Sequence, residues 1–295
     1  ALREQLRQEV PFVPLEVKQL FSSKSKKTYK ALFTRLHDSK VLESVLLRHR
    51  DGRNTVCVSC MIGCPVGCLF CATGKLGFKA NLNADEIVEQ VLFFQRKLAA
   101  ESLKVTNVVF MGMGEPLLNL EQVLKAIAIL TDPEKFALSQ RKIAISTSGY
   151  IPQLRELLAA GYKGKLAISL HAPIQELRAQ LMPMANFNKL PDLMTALDEY
   201  VAKTNKRIFY EYLLISGVND SEAQAIELAK LLKGRLAHVN LIPFNPVKHA
   251  NYRSSKELTV TAFQNILERK GISSSLRGTF GADIDGACGQ LAGDQ

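Results

Sequence analysis

Strand–helix alternation over residues 56–276 predicts an α/β domain on a parallel sheet, closed fully or partly into a barrel. Uninterrupted apolar runs recur at 56–59, 105–111, 143–146, 166–170, 208–214, 239–242 and 272–276, as strands covered on both faces require. Helical patterns near 84–99, 120–130, 151–160, 190–203, 221–232 and 259–270 separate them and complete βα units. Polar and glycine-rich motifs fall at the C-terminal ends of the strands, where such barrels keep their chemistry. At 295 residues, 47% hydrophobic, the chain suffices for one large core.

In chain order, residues 3–9 suit a short helix that Pro11 and Pro14 break, and a basic linker follows. Residues 29–36 and 41–47 are β-rich runs around His37-Asp38-Ser39 and predict a hairpin, with Glu43 on its second strand. Residues 1–54 are therefore expected to form a small accessory region, and 55–295 the main domain. Asn83 followed by Glu86 is a capping-box signature for the first helix, whose apolar face carries Ile87, Val91 and Phe94. No internal repeat or low-complexity stretch is present.

The chain holds 38 Lys and Arg against 28 Asp and Glu, a net charge of +10. This balance favours a polyanionic partner, and it is concentrated early, in residues 1–56. A solvated basic face without function is the alternative. No apolar run reaches the ~18 residues of a membrane span and no signal-peptide core opens the sequence, so a cytoplasmic, membrane-free protein is expected. Five of six cysteines lie within residues 57–71, which suits a reducing compartment rather than a disulfide framework.

Cys64, Cys68 and Cys71 form a C-x3-C-x2-C run. Three thiolates hold three corners of a [4Fe-4S] cluster and leave one iron open, whereas a structural zinc site needs a fourth ligand, Cys57 or Cys60. An open iron suits a chelating amine and carboxylate, such as the methionine end of S-adenosylmethionine (SAM). Further along, Gly114 lets backbone approach a ligand and Glu115 accepts from an ammonium. Ser146, the Ser169-Leu170-His171 run and Asn245 add hydrogen-bonding groups at strand ends. Each is weak alone: a βα turn or a structural histidine would look the same. Cys288, in a glycine-rich segment after the last strand, reads equally as a small buried thiol.

Taken together, CVSCMIGCPVGCLFCATG, GMGEPLLN, STSG, SLHAP, GVND, VNLIPFNP and DIDGACGQLAG strongly resemble the RlmN/Cfr radical SAM RNA methyltransferases, over essentially the whole chain. The resemblance implies a partial (β/α)6 barrel with a small N-terminal helical and β-hairpin extension. It assigns the cluster to Cys64, Cys68 and Cys71, and SAM contacts to Gly114, Glu115, Ser146, Ser169, Leu170, His171 and Asn245. Cys288 becomes the methylated cysteine, Cys57 the second catalytic cysteine, and Glu43 the proton acceptor. Implied partners are 23S rRNA and tRNA, an electron donor such as flavodoxin, and a thiol reductant; a monomer is expected. PFNP and GMGEPLLN favour methylation of adenine C2, whereas FALS at 136–139 and TFG at 279–281 lean toward C8. An iron–sulfur RNA-binding protein without turnover would need neither Cys57 nor Cys288. The N-terminal region is shorter than usual for the family, Cys60 stands where serine is frequent, and Gly286 where alanine is.

Overall fold

The computed structural model describes residues 14–292, so the helix expected at 3–9 lies outside the described residues. The chain enters as an antiparallel meander of β1 (Leu15–Ser22), β2 (Thr28–Arg35) and β3 (Val41–Arg48). β2 and β3 are the expected hairpin. β1 replaces the expected linker: apart from Leu15 its residues are mostly exposed, and Glu16 and Lys18 give it the charged, bulged character of a protected edge. Without a buried face it carries no alternating signal. β3 then pairs antiparallel with β4 (Asn54–Val58), so hydrogen bonding runs unbroken past residue 54.

From β4 the sheet is parallel. It continues through β7 (Asn107–Phe110), β8 (Ile143–Thr147), β9 (Lys165–Ser169), β10 (Ile208–Leu214), β11 (Ala237–Pro243) and β12 (Ser274–Leu276) in that order. The connecting helices are α2 (Ala84–Ala99), α3 (Leu120–Thr131), α4 (Ile151–Ala159), α6 (Leu190–Thr204), α7 (Glu222–Leu232) and α8 (Glu257–Arg269). These are the six βα units expected, with β12 as a last strand. Asn83 caps α2 through the reciprocal pair with Glu86 that its spacing announces. A separate ribbon of β5 (Met61–Gly63) and β6 (Phe78–Asn81), with the short α1 (Ala72–Leu76) between them, carries the cysteine loop. Another short helix, α5 (Gln175–Leu181), follows β9.

Strand periodicity sorts the side chains into two sets. Val56, Val108, Phe110, Ile143, Ile145, Ile168, Tyr210 and Val239 are fully buried in the main hydrophobic core. The alternate positions, Cys57, Val109, Ala144, Ala167, Glu211, Asn240 and Ser275, line the lumen. Small and polar residues there leave a cavity of about 540 Å³ rather than a packed centre. The sheet does not close on itself. The segment after β12 crosses the open side instead, tied by Lys24 N–H to Asp283 Oδ2 at 2.8 Å, Ala72 N–H to the Gly289 carbonyl at 2.7 Å, and Ala292 N–H to Glu43 Oε2 at 2.8 Å. Among the described residues no helix is long and apolar enough to cross a membrane.

Candidate active site

Cys64 leaves β5, and Cys68 and Cys71 lead into α1, with Cys71 N–H bonded to the Cys68 carbonyl at 3.2 Å. The loop is tight because two glycines permit it. A Cβ on Gly74 would stand 2.8 Å from the Cys68 carbonyl oxygen, and one on Gly63 would overlap the Gly77 backbone. Burial pushes the Cys64 thiol up to about 12 and the Cys68 and Cys71 thiols upward too; Cys71 adds to the shift of Cys64, and Cys71 and Cys64 add to that of Cys68. Three desolvated thiols on one tight loop are a donor set that becomes thiolate only beside a cationic centre, which is what iron supplies. The residues fit a three-thiolate cluster. Among the described residues no group of three or more His, Cys, Asp and Glu is drawn together as around a single metal ion; in a cubane each thiolate binds its own iron.

The residues expected at SAM converge on the strand ends beside this loop. Gly114 has φ +104 and lies against Met61, where a Cβ on it would stand 2.6 Å from the Met61 Cβ. Glu115 is 3% exposed, and burial raises its pKa. Its carboxylate is aimed by Ser148, which donates from N–H at 2.8 Å and from Oγ at 2.7 Å, and by Leu117 N–H at 3.0 Å. Ser146 and Ser169 sit two positions above the lumen residues Ala144 and Ala167, and so point inward at the upper end. Leu170 is fully buried. His171 adopts φ +56, accepts from Leu213 N–H through Nδ1 at 3.0 Å, and packs its ring edge-on to Phe70. Burial lowers its pKa to about 3, so it is neutral. Asn245 donates from Nδ2 to the Cys288 carbonyl at 3.1 Å, joining this group to the C-terminal segment.

Cys57 and Cys288 line the same cavity, Cys57 half-buried on β4 and Cys288 exposed. Burial pushes the Cys57 thiol up to about 12, the Cys288 sulfur adds to the shift, and Arg277 opposes it. Cys60 is different. It is 2% exposed in the main core, with Sγ 3.7 Å from the Met113 carbonyl, and it is absent from the lumen wall. Glu43 lies outside the lumen wall as well, in a 2.8 Å ion pair with Lys30 (1% and 3% exposed) while accepting from Ala292 N–H.

Sequence reading missed two arginines. Arg277 reaches into the lumen, 3.0 Å from Glu211 Oε2, and Asn240 Nδ2 holds Glu211 Oε1 at 2.8 Å. Arg178 of α5 is fully buried beside Cys68 and donates to the Ser148 carbonyl at 2.7 Å, while its Nε and Nη1 have no hydrogen-bond partner. Desolvation lowers its pKa to about 10. An arginine in a short amphipathic helix looks solvated; only the fold shows otherwise.

Comparison with known proteins agrees with this architecture. The radical SAM superfamily model matches residues 58–229. The chain is 49% identical over 265 residues to the probable dual-specificity RNA methyltransferase RlmN of Symbiobacterium thermophilum, covering 90% of this chain and 71% of that protein. It is 43% identical to the protein of the same name from Lachnoclostridium phytofermentans, covering 98% and 80%. The crystal structure of a radical SAM methyltransferase from Sphaerobacter thermophilus superposes with a TM-score of 0.96 at 42% identity, covering 99% of this chain and 85% of that one. The superfamily match over more than half of the chain, and identities of 43–49% to relatives named RlmN over most of its length, place the chain in the RlmN family of the radical SAM superfamily.

Proposed function

We propose that the chain methylates C2 of an adenosine in 23S rRNA, and of one in tRNA, through an S-methylated Cys288 and at the expense of two SAM. The observation that carries this reading is the pair Cys57 and Cys288 in one cavity, whose wall includes Cys71 of the cysteine loop and Arg277. The names of the relatives, dual-specificity RNA methyltransferases, support RNA as substrate. When bound on Cys64, Cys68 and Cys71 and on the residues from Gly114 to Asn245, cluster and SAM supply a methyl group and a 5′-deoxyadenosyl radical.

The chain's own residues do the rest. Adenine C2 is electrophilic and has no lone pair for polar methyl transfer, so a carbon radical must attack it. Cys288 accepts a methyl group on sulfur, and loss of one hydrogen atom from that group leaves S–CH2•. This carbon adds to C2 and joins protein to RNA. The ring proton then leaves to a base in the lumen; Glu43, the acceptor that family resemblance assigns, is held outside the lumen wall by Lys30 and is not placed to take it directly. Cys57 rests as the thiol and must lose its proton before it attacks; Arg277 is the cation that favours its thiolate. The radical adduct also carries one electron in excess, which the cluster held by Cys64, Cys68 and Cys71 would take back; attack on the Cys288 sulfur then breaks the S–CH2 bond, and the carbon takes a proton as the new methyl group. A Cys57–Cys288 disulfide remains for a thiol reductant. The proposal includes a flavodoxin-type electron donor and a monomeric, cytoplasmic enzyme.

FALS at 136–139 and TFG at 279–281 favour the second reading, methylation at C8. Mass spectrometry of nucleosides from 23S rRNA and tRNA treated with reconstituted enzyme tests both. 2-Methyladenosine is expected; 8-methyladenosine or unmodified adenosine overturns the assignment.

A further inference from the structure

We propose that the RNA reaches Cys57 and Cys288 from the N-terminal ends of the barrel strands, through a cationic mouth opposite the cysteine loop. This inference rests on the RNA reading above and adds the route and the surface.

Three ways into the lumen are conceivable, and two are covered. Above the C-terminal strand ends, Phe70, Leu181, Met182 and Phe244 form an apolar cluster, and Cys64, Val66 and Met184 form another beside it. The open side between β12 and the meander is crossed by the C-terminal segment, with Asp283 tied to Lys24 and Gly281 packed on Thr28. The cavity's wall nevertheless extends down to Arg53, Asn107, Lys142 and Lys165, at or just before the beginnings of their strands. Thr55, Asn107 and Lys142 lie at one level of the sheet, and Cys57 is two residues above Thr55, roughly 7 Å at ~3.3 Å per residue. A nucleotide whose phosphate stays at the rim thus brings its base to the cysteines.

Among the described residues, several cations at this end have no acidic partner. Lys104, Lys142, Lys165 and Arg207 precede or open successive strands and form no ion pair, whereas Asp51, Glu101 and Asp132 are already matched by Arg53, Arg48 and Lys135. Like charges crowd here: Arg141 and Lys163 both press on Lys206, whose pKa is lowered, first by desolvation and then by them. Lys24, Lys26 and Lys27 stand at the same end, because Arg48 N–H bonds the Lys27 carbonyl beneath β3. Repulsion of this kind is relieved by a polyanion. Phe209, under Lys165, and Phe280, edge-on to His49, give the mouth apolar faces on which an unstacked base can lie. A duplex is too wide for such a lumen, so the substrate is an unpaired loop with one base turned out.

The test uses full-length reconstituted protein and a fluorescein-labelled RNA stem–loop with an unpaired adenosine, titrated over a salt series. Lys142→Glu with Lys165→Glu should weaken binding at least tenfold and flatten the log K against log salt slope by about 1.4, two contacts at about 0.7 each. SAM affinity, read at the other end of the barrel, reports that the variant is folded. Lys248→Glu with Arg253→Glu, exposed at the C-terminal side, should bind RNA as the parent does. RNA binding lost in the second pair and kept in the first would overturn the route. A parent protein with no salt-dependent RNA binding would instead overturn the RNA reading on which the route rests.

Discussion

Replacing Lys30 by Met should destabilise the protein by about 3–5 kcal/mol, although the residue is far from the cysteine loop in sequence. Lys30 and Glu43 are 3% and 1% exposed and 2.8 Å apart. Two buried charges at that distance attract by about 6 kcal/mol at an effective dielectric of ~20, most of which offsets their desolvation. Removing only the lysine leaves the carboxylate with the Ala292 N–H but without that cation, and such truncation costs about 3–5 kcal/mol. At ~2.1 cal/mol/K per residue over 295 residues, 4 kcal/mol lowers the melting temperature by about 6 °C. Lys30→Met with Glu43→Leu removes both charges and should recover all but about 1 kcal/mol, the share of the lost bond to Ala292. Denaturant unfolding of the single and double variants measures both values. A single variant within 1 kcal/mol of the parent, or a double variant no better than the single, would refute the buried-pair argument.

Cys64→Ala, Cys68→Ala and Cys71→Ala should each lower bound iron and abolish reductive SAM cleavage; iron analysis showing full content and cleavage in any one would remove that ligand. Gly114→Ala, forced to φ +104 with its Cβ 2.6 Å from Met61, should lose about 2–4 kcal/mol of stability and weaken SAM binding, as calorimetry would show. His171 is neutral in the fold, with a pKa near 3 against 6.5 unfolded, so the unfolded chain binds the extra proton between those values. Its share of stability should fall by about 1.4 kcal/mol per pH unit as pH drops from 6.5 toward 3, and His171→Gln should flatten that part of the pH–stability curve.

What the sequence shows and hides follows from where each residue's information lies. Strands β7 to β11 are legible because their outward faces are apolar against helices, and the cysteine loop because ligand spacing is local. β1 is hidden because an edge strand with one buried residue has no period to read. The lumen is half legible: Cys57 is marked by motif, but Arg277 and Glu211 acquire meaning only when β10 and β12 bring them 3.0 Å apart. Cys60, three residues after Cys57 in sequence, looks like its substitute, yet the turn after β4 sends it to the core against Met113. Arg178 carries no signal at all, since its burial depends on α5 packing beside Cys68.

The central claim is that Cys288 carries the carbon and Cys57 releases it, and intact-mass analysis of two variants after turnover with RNA tests it most directly. Cys57→Ala should accept a methyl group without RNA and then stall as a covalent adduct, leaving a nucleotide remnant after nuclease treatment. Cys60→Ala added to it should change nothing, because Cys60 lies off the lumen wall. Cys288→Ala should show neither methyl loading nor adduct. Normal release of methylated RNA by Cys57→Ala, or an adduct on Cys288→Ala, would contradict the account.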